Sequence, residues 1–235
     1  MKQSASATID EYILQEWRFE DSHDKELQEL TEIIRRWARD GNWLDLGCGP
    51  LLTVWPMFVR GEVSIFGCDR NSSVASFHAA LQTTTTETLP HGLRSAVSYC
   101  NANFGTAFAN PPIDRIAELI IDSITKAQPH WNSLFNTVVQ IGCFGCLDSI
   151  QDLKQALVLV ERYLCSGGIF ISETWVPQTD HIDSVVWGGN NLRTLSIDTF
   201  SLLVESAGMR ILMKTVTAMQ THYKERFIVV AEKKR

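Results

Sequence analysis

The sequence has no surplus of positive charge: 21 lysines and arginines stand against 27 aspartates and glutamates, a net charge of −6. A nucleic-acid surface normally shows as a basic balance or stripe, so no nucleic-acid partner is expected. Long apolar runs are also missing. The opening Met1-Lys2-Gln3-Ser4-Ala5-Ser6 leads into polar and acidic residues instead of the apolar stretch of a secretion signal, and no later run approaches a membrane span. The expectation is a cytoplasmic protein without membrane contact. Cys143 and Cys146 form a C-x-x-C without a second pair at metal spacing, so no zinc site is expected. Cys48, Cys68, Cys100 and Cys165 complete the set, mostly within apolar runs, and read as reduced thiols. The six histidines show no H-x-x-x-H pattern. Of these only His181 lies near enough to the fifth-strand loop to be a base.

What is present is an ordinary globular composition, 45% apolar and 20% charged over 235 residues, enough for one large domain. No repeat or linker divides it. Leu27, Leu30, Ile34 and Trp37 recur at helical spacing. Short apolar strands are expected at Trp43 to Leu46, Val63 to Cys68, Ala96 to Cys100, Thr137 to Ile141 and Ile169 to Ser172. Helical stretches separate them: one follows Cys68, one surrounds Ile116, Leu119 and Ile120, and one carries Leu153, Ala156, Leu157 and Val160 behind a Ser149 N-cap. A last helix, with Phe200, Leu203, Val204 and Ala207, closes at Gly208. Two β-rich runs follow, Ile211 to Thr217 and Arg226 to Ala231. Alternating strands and helices predict an α/β fold with a doubly wound, seven-stranded, mostly parallel sheet. The closing strand pair predicts a C-terminal antiparallel hairpin, unlike an ordinary dinucleotide-binding sheet.

The sharpest local signal is Asp45-Leu46-Gly47-Cys48-Gly49-Pro50, directly after the first strand. Gly47 can turn tightly, Gly49 lets a ligand approach the backbone, and Pro50 suits the first turn of a following helix. Asp69 ends the second strand about 20 residues later, where a carboxylate would accept hydrogen bonds from a ribose diol. A dinucleotide fingerprint wants a third glycine where this chain has Leu52. An acid two residues before the first glycine, here Asp45, instead suits a ligand with a cationic amino-acid tail. The turn therefore predicts S-adenosylmethionine as cofactor and S-adenosylhomocysteine as product.

The chain resembles, from roughly Tyr12 onward, the small-molecule methyltransferases that include the nicotinamide, phenylethanolamine and thioether (indolethylamine) enzymes. Tyr12-Ile13-Leu14-Gln15-Glu16-Trp17-Arg18-Phe19 is similar to that family's N-terminal Tyr-Leu-x-x-Tyr-Tyr-x-Phe segment. Gly47-Cys48-Gly49-Pro50 resembles its Gly-x-Gly-Pro turn, and Val186-Trp187-Gly188 with Leu195-Ser196 its stretch after the fifth strand. The resemblance implies that residues 1–40 form a helical lid and 41–235 the cofactor-binding domain. Tyr12 then contacts cofactor or substrate. Glu16 and Trp17 stand where tyrosines are usual, and Arg70 replaces an aromatic residue against the adenine. Asn101, beside Ala102, stands in for an acid after the third strand, its amide carbonyl accepting from the adenine amine.

In such a sheet the site lies beyond the carboxyl ends of the strands. Cofactor contacts are therefore expected from Tyr12, Trp17, Asp45, Gly47, Gly49, Pro50, Asp69, Arg70, Asn101, Ala102 and Ile141. Substrate contacts are expected from Gly142, Cys143, Glu173, Trp175 and Trp187, with Glu173 and Tyr12 the catalytic candidates. Glu173 would anchor a cationic acceptor or take its proton, and the tryptophans would box it through their ring faces. The expected reaction is methyl transfer to a small molecule, at a nitrogen of an amine or heteroaromatic compound, by a monomer or weak homodimer. Transfer to oxygen or sulfur uses the same scaffold. Asn110-Pro111-Pro112-Ile113 resembles a motif of nucleic-acid and protein amide methyltransferases, but it lacks the aromatic residue and precedes the fourth strand. The same turn would also serve a non-catalytic cofactor-binding subunit. An NAD-dependent oxidoreductase ranks last, because of Leu52 and the terminal hairpin.

Overall fold

The computed structural model describes residues 17–21, 24–177, 195–218 and 223–235. Asp24 opens the first helix, α1 (Lys25–Trp37), its carboxylate accepting from the Glu26 and Leu27 backbone N–H groups at 3.0 and 3.1 Å. Those donors have no partner inside the helix, so the cap satisfies them. Leu27, Leu30, Ile33 and Ile34 then form one buried stripe, as the helical spacing requires.

The chain continues through β1 (Gly41–Leu46), β2 (Val63–Asp69), α2 (Ser72–Leu81), α3 (His91–Phe104) and β3 (Ile116–Ile121). It then runs through β4 (Phe135–Ile141), α4 (Ile150–Tyr163), β5 (Leu164–Pro177), α5 (Ile197–Ser206), β6 (Met209–Ala218) and β7 (Tyr223–Lys233). The strands make one seven-stranded sheet in the order β3-β2-β1-β4-β5-β7-β6. Only β7 runs against its neighbours, pairing antiparallel with β5 and β6. This is the expected doubly wound sheet with its terminal hairpin.

Helices cover both faces. One core lies under α1, α2 and α3 and contains Trp43, Ile65, Val139, Ile171 and Trp55. The other lies under α4 and α5 and contains Leu44, Val138, Phe170 and Phe227. The alternation along each strand, Trp43 to one face and Leu44 to the other, is the period of a sheet buried on both sides.

Three local expectations need correction. Ala96 to Cys100 is not a strand but part of α3, whose Leu93, Ala96, Val97 and Cys100 are buried at helical spacing. The third strand is instead Ile116–Ile121, a stretch whose spacing reads as helical. It is an edge strand paired only with β2, so a six-residue apolar run suffices to hold it. Third, no α-helix follows the glycine turn. Two 3₁₀ turns, Gly49–Leu51 and Trp55–Phe58, take its place, each with a proline in its first positions. Pro56 has no N–H to give to a helix started at Gly49, so the helix cannot propagate through it.

Candidate functional site

β1 and β4 are neighbours although β2 and β3 lie between them in sequence. Connections from these two strands leave in opposite directions and open a crevice at their carboxyl ends. The glycine turn stands there. Gly47 has φ +69° and Gly49 φ +50°, left-handed values that favour glycine. The two glycines serve different needs. A Cβ on Gly47 would lie 2.2 Å from Cys143 Sγ, so packing alone demands glycine, whereas a Cβ on Gly49 would meet nothing within 4 Å. The Gly49 backbone therefore faces open space into which a ligand can come close.

Asp69, at the end of β2, closes the turn from the other side. Its Oδ2 accepts from Gly49 N–H at 3.0 Å and its Oδ1 from Asn71 N–H at 2.8 Å. His78 Nε2 donates to the Gly49 carbonyl at 3.0 Å, and burial lowers the pKa of this imidazole. Beyond the turn lies a cleft of about 340 Å³ reached by Gly47, Asp69, Arg70, Ile141, Gly142 and Cys143. Ser123 and Thr125 form its β3 side, Cys146 and Asp152 its β4 side, and Trp175 one wall. The Trp175 ring lies over Gly142, where a Cβ would sit 3.3 Å from its Cζ3.

Gln140 holds the far lip of this cleft. Its Nε2 donates to the Glu173 carbonyl at 2.7 Å and reaches Ser172 Oγ at 2.5 Å, while its Oε1 accepts from Phe144 N–H at 2.8 Å. A buried amide that satisfies backbone on two sides fixes the turn carrying Gly142 and Cys143.

Asp45 is the penultimate residue of β1, on the face shared with Trp43. It is 1% exposed, and its Oδ2 has no hydrogen-bond partner among the described residues. Burial, and next the charge of Asp69, raise its pKa well above the usual carboxylate value. A buried carboxylate oxygen without a donor is costly, unless a ligand brings one. Above it, Trp17 is buried against Trp55 and Trp175, with ring centroids 4.6 and 5.5 Å away. Trp17, Asp45 and Trp55 enclose a second hollow, of about 30 Å³, with Gly49, Pro50 and Ile141.

The structure thus brings together Trp17, Asp45, Gly47, Gly49, Pro50, Asp69, Arg70, Ile141, Gly142, Cys143 and Trp175 around two adjoining spaces. Asn101 and Ala102 are elsewhere, because the segment that carries them is α3 and not the third strand. The Asn101 amide is spent on the loop after that helix: Oδ1 accepts from Thr106 Oγ1 and Phe108 N–H, and Nδ2 donates to the Phe108 carbonyl. The acid after the true third strand is Asp122. Hydrogen bonds from Lys126 and from Ser123 N–H hold its pKa below the usual value. Its signal is in the sequence, an acid directly after an apolar run, but the spacing of that run hides the strand. Tyr12, His181 and Trp187 lie outside the described residues.

Glu173 does not follow the fifth strand as expected: β5 runs on past Ser172 to Pro177, so Glu173 is inside the strand, and it does not line the cleft. It is 1% exposed and ion-paired with Arg226 of β7, whose guanidinium also donates to Glu29 Oε2 of α1 at 3.1 Å and to the Glu26 carbonyl at 2.9 Å. Burial, the dominant cause, raises the Glu173 pKa; Arg226 and the Trp175 side chain work against that rise. Glu173 Oε2 has no partner in full hydrogen-bond geometry among the described residues. Arg226 has no sequence signal, since nothing in a β-rich run marks one arginine as buried.

Among the described residues no three His, Cys, Asp or Glu side chains are arranged to hold a metal ion, and no helix is long and apolar enough to cross a membrane. None of the six cysteines is in a disulfide.

No protein-family profile matches the chain, and no curated protein matches it in sequence. Solved structures do match in fold. The N-methyltransferase NodS from Bradyrhizobium japonicum WM9, in complex with S-adenosyl-L-homocysteine, superposes with a TM-score of 0.58 at 10% identity, covering 97% of this chain and 98% of NodS. An S-adenosylmethionine-dependent methyltransferase from Methanosarcina mazei gives 0.54 at 15% identity, covering 86% of this chain and 97% of that one. The [4+2]-cyclase SpnF gives 0.59 at 13% identity over 91% of this chain and 84% of its own. The chain therefore has the Rossmann-like fold of the class I methyltransferases. SpnF, a cyclase by name, shows that the fold does not fix the reaction, which has to be argued from the site.

Proposed function

We propose that this chain is an S-adenosylmethionine-dependent methyltransferase acting on a small molecule at a nitrogen of an amine or heteroaromatic acceptor. The observation that carries the cofactor reading is Asp45: a buried carboxylate with one oxygen lacking a donor among the described residues, beside a glycine turn whose second glycine faces open space. An ammonium group on the cofactor's amino-acid tail supplies the missing donor. In this reading Asp69 would accept from a ribose and the segment at Ser123 would meet an adenine edge, with Ile141 to Cys143 along the opposite side. Residues 41–235 would be the cofactor-binding domain and residues 1–40 its cover, with Tyr12 and Trp187 as further contacts.

When bound, the sulfonium supplies an already activated methyl group. The chain then has to align the attacking atom and keep water out. Trp175 and Ile141 give an apolar wall for this. Glu173 stands outside the cleft, ion-paired with Arg226 and hydrogen-bonded by the Trp175 side chain, so it steadies this wall and does not touch the acceptor. Nucleic acid is not the acceptor in this reading: the net charge is −6, and Asn110-Pro111-Pro112 leads into a 3₁₀ turn before β3 and not out of β4.

Calorimetric titration with S-adenosylhomocysteine, with NAD and NADH in parallel, tests the cofactor. Saturable binding of S-adenosylhomocysteine alone supports the proposal and opens a screen of amines, pyridines, phenols and thiols. Binding of NAD or NADH instead overturns it, and Asp69 becomes the ribose partner of a dehydrogenase.

A further inference from the structure

Trp17 is 5% exposed although it lies outside every helix and strand. It packs edge-on against Trp55 and tilted against Trp175, and it forms one side of the hollow that contains Asp45 and the glycine turn. That hollow measures about 30 Å³. Space of that order holds roughly one or two waters, not a ligand tail with an ammonium and a carboxylate. The indole fills the seat in shape but not in hydrogen bonding. Trp17 Nε1 and Asp45 Oδ2 are both buried there, and both lack a hydrogen-bond partner among the described residues. A buried polar group left unpaired bears its whole desolvation cost. The closed arrangement thus keeps a defect that an incoming ammonium removes at Asp45 and that solvent removes at the indole.

We infer that Trp17 is a plug standing where the cofactor's amino-acid tail must go, so that binding requires the chain to withdraw its own indole. The inference rests on the cofactor reading above. Within the segment read as a cover, it assigns Trp17 a further part: before ligand arrives, the indole competes for the site. The segment is anchored just beyond the plug. Phe19, 2% exposed, sits between Trp55 and Tyr99 at centroid distances of 6.1 and 6.0 Å. Arg18 meets the α1 cap Asp24 at 3.3 Å, but its side chain is 61% exposed, and such a pair adds little. What retains Trp17 is therefore mainly its ring contacts. The apparent affinity for the cofactor is reduced to the fraction of molecules in which the plug is withdrawn.

The test is S-adenosylhomocysteine titration of the full chain and of Trp17→Ala, with acrylamide quenching of tryptophan fluorescence in the wild type and Trp17→Phe. The plug predicts that Trp17→Ala binds about tenfold tighter, as expected if the open form is about a tenth of the population. It also predicts that ligand makes the Trp17 component, the difference between wild type and Trp17→Phe, more accessible to quencher. Equal or weaker binding by folded Trp17→Ala overturns the plug and leaves the cofactor reading standing. If Trp17→Ala does not fold, quenching decides, and a Trp17 component that becomes more shielded or stays unchanged overturns it. Absence of binding by the wild type and both variants removes the cofactor reading and the plug together.

Discussion

Glu173 on β5 and Arg226 on β7 form an ion pair at the carboxyl edge of the sheet, each side chain 1% exposed. Arg226 continues the contact to Glu29, which also accepts from Thr215 and Thr217 of β6, so that one guanidinium ties α1, β5 and the terminal hairpin together. The carboxylate expected from the sequence to face the acceptor is thus turned into the protein and held by the last strand of the chain.

Removing the guanidinium should cost far more than removing the carboxylate's charge. Arg226→Met leaves Glu173 buried without a counter-charge, a loss of about 3–5 kcal/mol, whereas Glu173→Gln leaves a neutral amide that still accepts from arginine. For a chain of this size the first change should lower Tm by roughly 10 °C. Denaturant unfolding of both single variants and the double variant measures it. If Arg226→Met is no less stable than Glu173→Gln, the guanidinium is not what makes the burial of Glu173 tolerable.

Glu173→Gln should also leave binding and turnover close to those of the wild type. Its carboxylate is outside the cleft and paired with Arg226, so it does not reach the acceptor's proton, and S-adenosylhomocysteine affinity and kcat should each stay within about twofold to tenfold. Parallel calorimetry and methyl-transfer assays read the two quantities. A kcat that falls by roughly 10²–10⁴ with binding intact would instead make Glu173 the base for the acceptor.

Asp45 should be a site where binding is kept at the expense of stability. Its raised pKa means that the folded state holds the proton more tightly than the unfolded chain. Its contribution is most favourable below the ordinary value of 3.8 and declines as pH rises through and above it. Asp45→Asn should therefore raise Tm at pH 7, by about 2–4 °C for each kcal/mol recovered, and the gain should shrink toward pH 4. The same change should weaken S-adenosylhomocysteine binding about 10- to 100-fold, the worth of a charge-assisted hydrogen bond. A lower Tm at pH 7 with unchanged affinity would refute both halves.

How far the sequence reveals this site depends on where local and tertiary signals agree. The turn at Gly47 and Gly49 is legible because positive φ and close approach are properties that glycine alone supplies. Ser149 caps α4 as its position implies, its hydroxyl accepting from Asp152 N–H at 3.1 Å. The third strand is hidden because Ile116, Leu119 and Ile120 satisfy a helical period within only six residues, while Ala96, Val97 and Cys100 sit in a run that alternates well enough for a strand. Fourteen residues of α3, taken together, show the helical period; five do not. That exchange alone moves the expected residue after the third strand from Asp122 to Asn101. Trp55 and Arg226 have no local signal at all, since their roles come from strands and turns far away in sequence.

The two glycines should fail differently. Gly47→Ala forces a methyl to 2.2 Å from Cys143 Sγ and strains a φ of +69°, so the turn must shift and stability should fall by about 1–3 kcal/mol or more. Gly49→Ala meets nothing within 4 Å and bears only the conformational cost of φ +50°, about 1–2 kcal/mol. Its methyl projects where ligand would lie, so the folded variant should lose S-adenosylhomocysteine binding by about tenfold, the effect of a modest steric clash. Thermal denaturation and calorimetry on both variants distinguish the cases, and unaltered binding by Gly49→Ala would place the ligand away from the turn.

Cys146 offers a readout of the cleft that needs no substrate. Burial pushes its thiol up to about 11, with Arg70 pulling the other way. Only the thiolate is nucleophilic, so at pH 8 about one molecule in a thousand is reactive, and alkylation should accelerate about tenfold per pH unit up to about pH 11. Cys68, raised to about 12 and deeper, should react more slowly still. Iodoacetamide labelling followed by peptide mapping assigns each rate. Because Cys146 lines the cleft with Arg70, saturating S-adenosylhomocysteine should slow its labelling at every pH, and Arg70→Ala should slow it in the absence of ligand by removing the cation that favours the thiolate. Fast labelling of Cys146 at pH 7, or labelling indifferent to bound ligand, would mean that this thiol does not share a space with the cofactor.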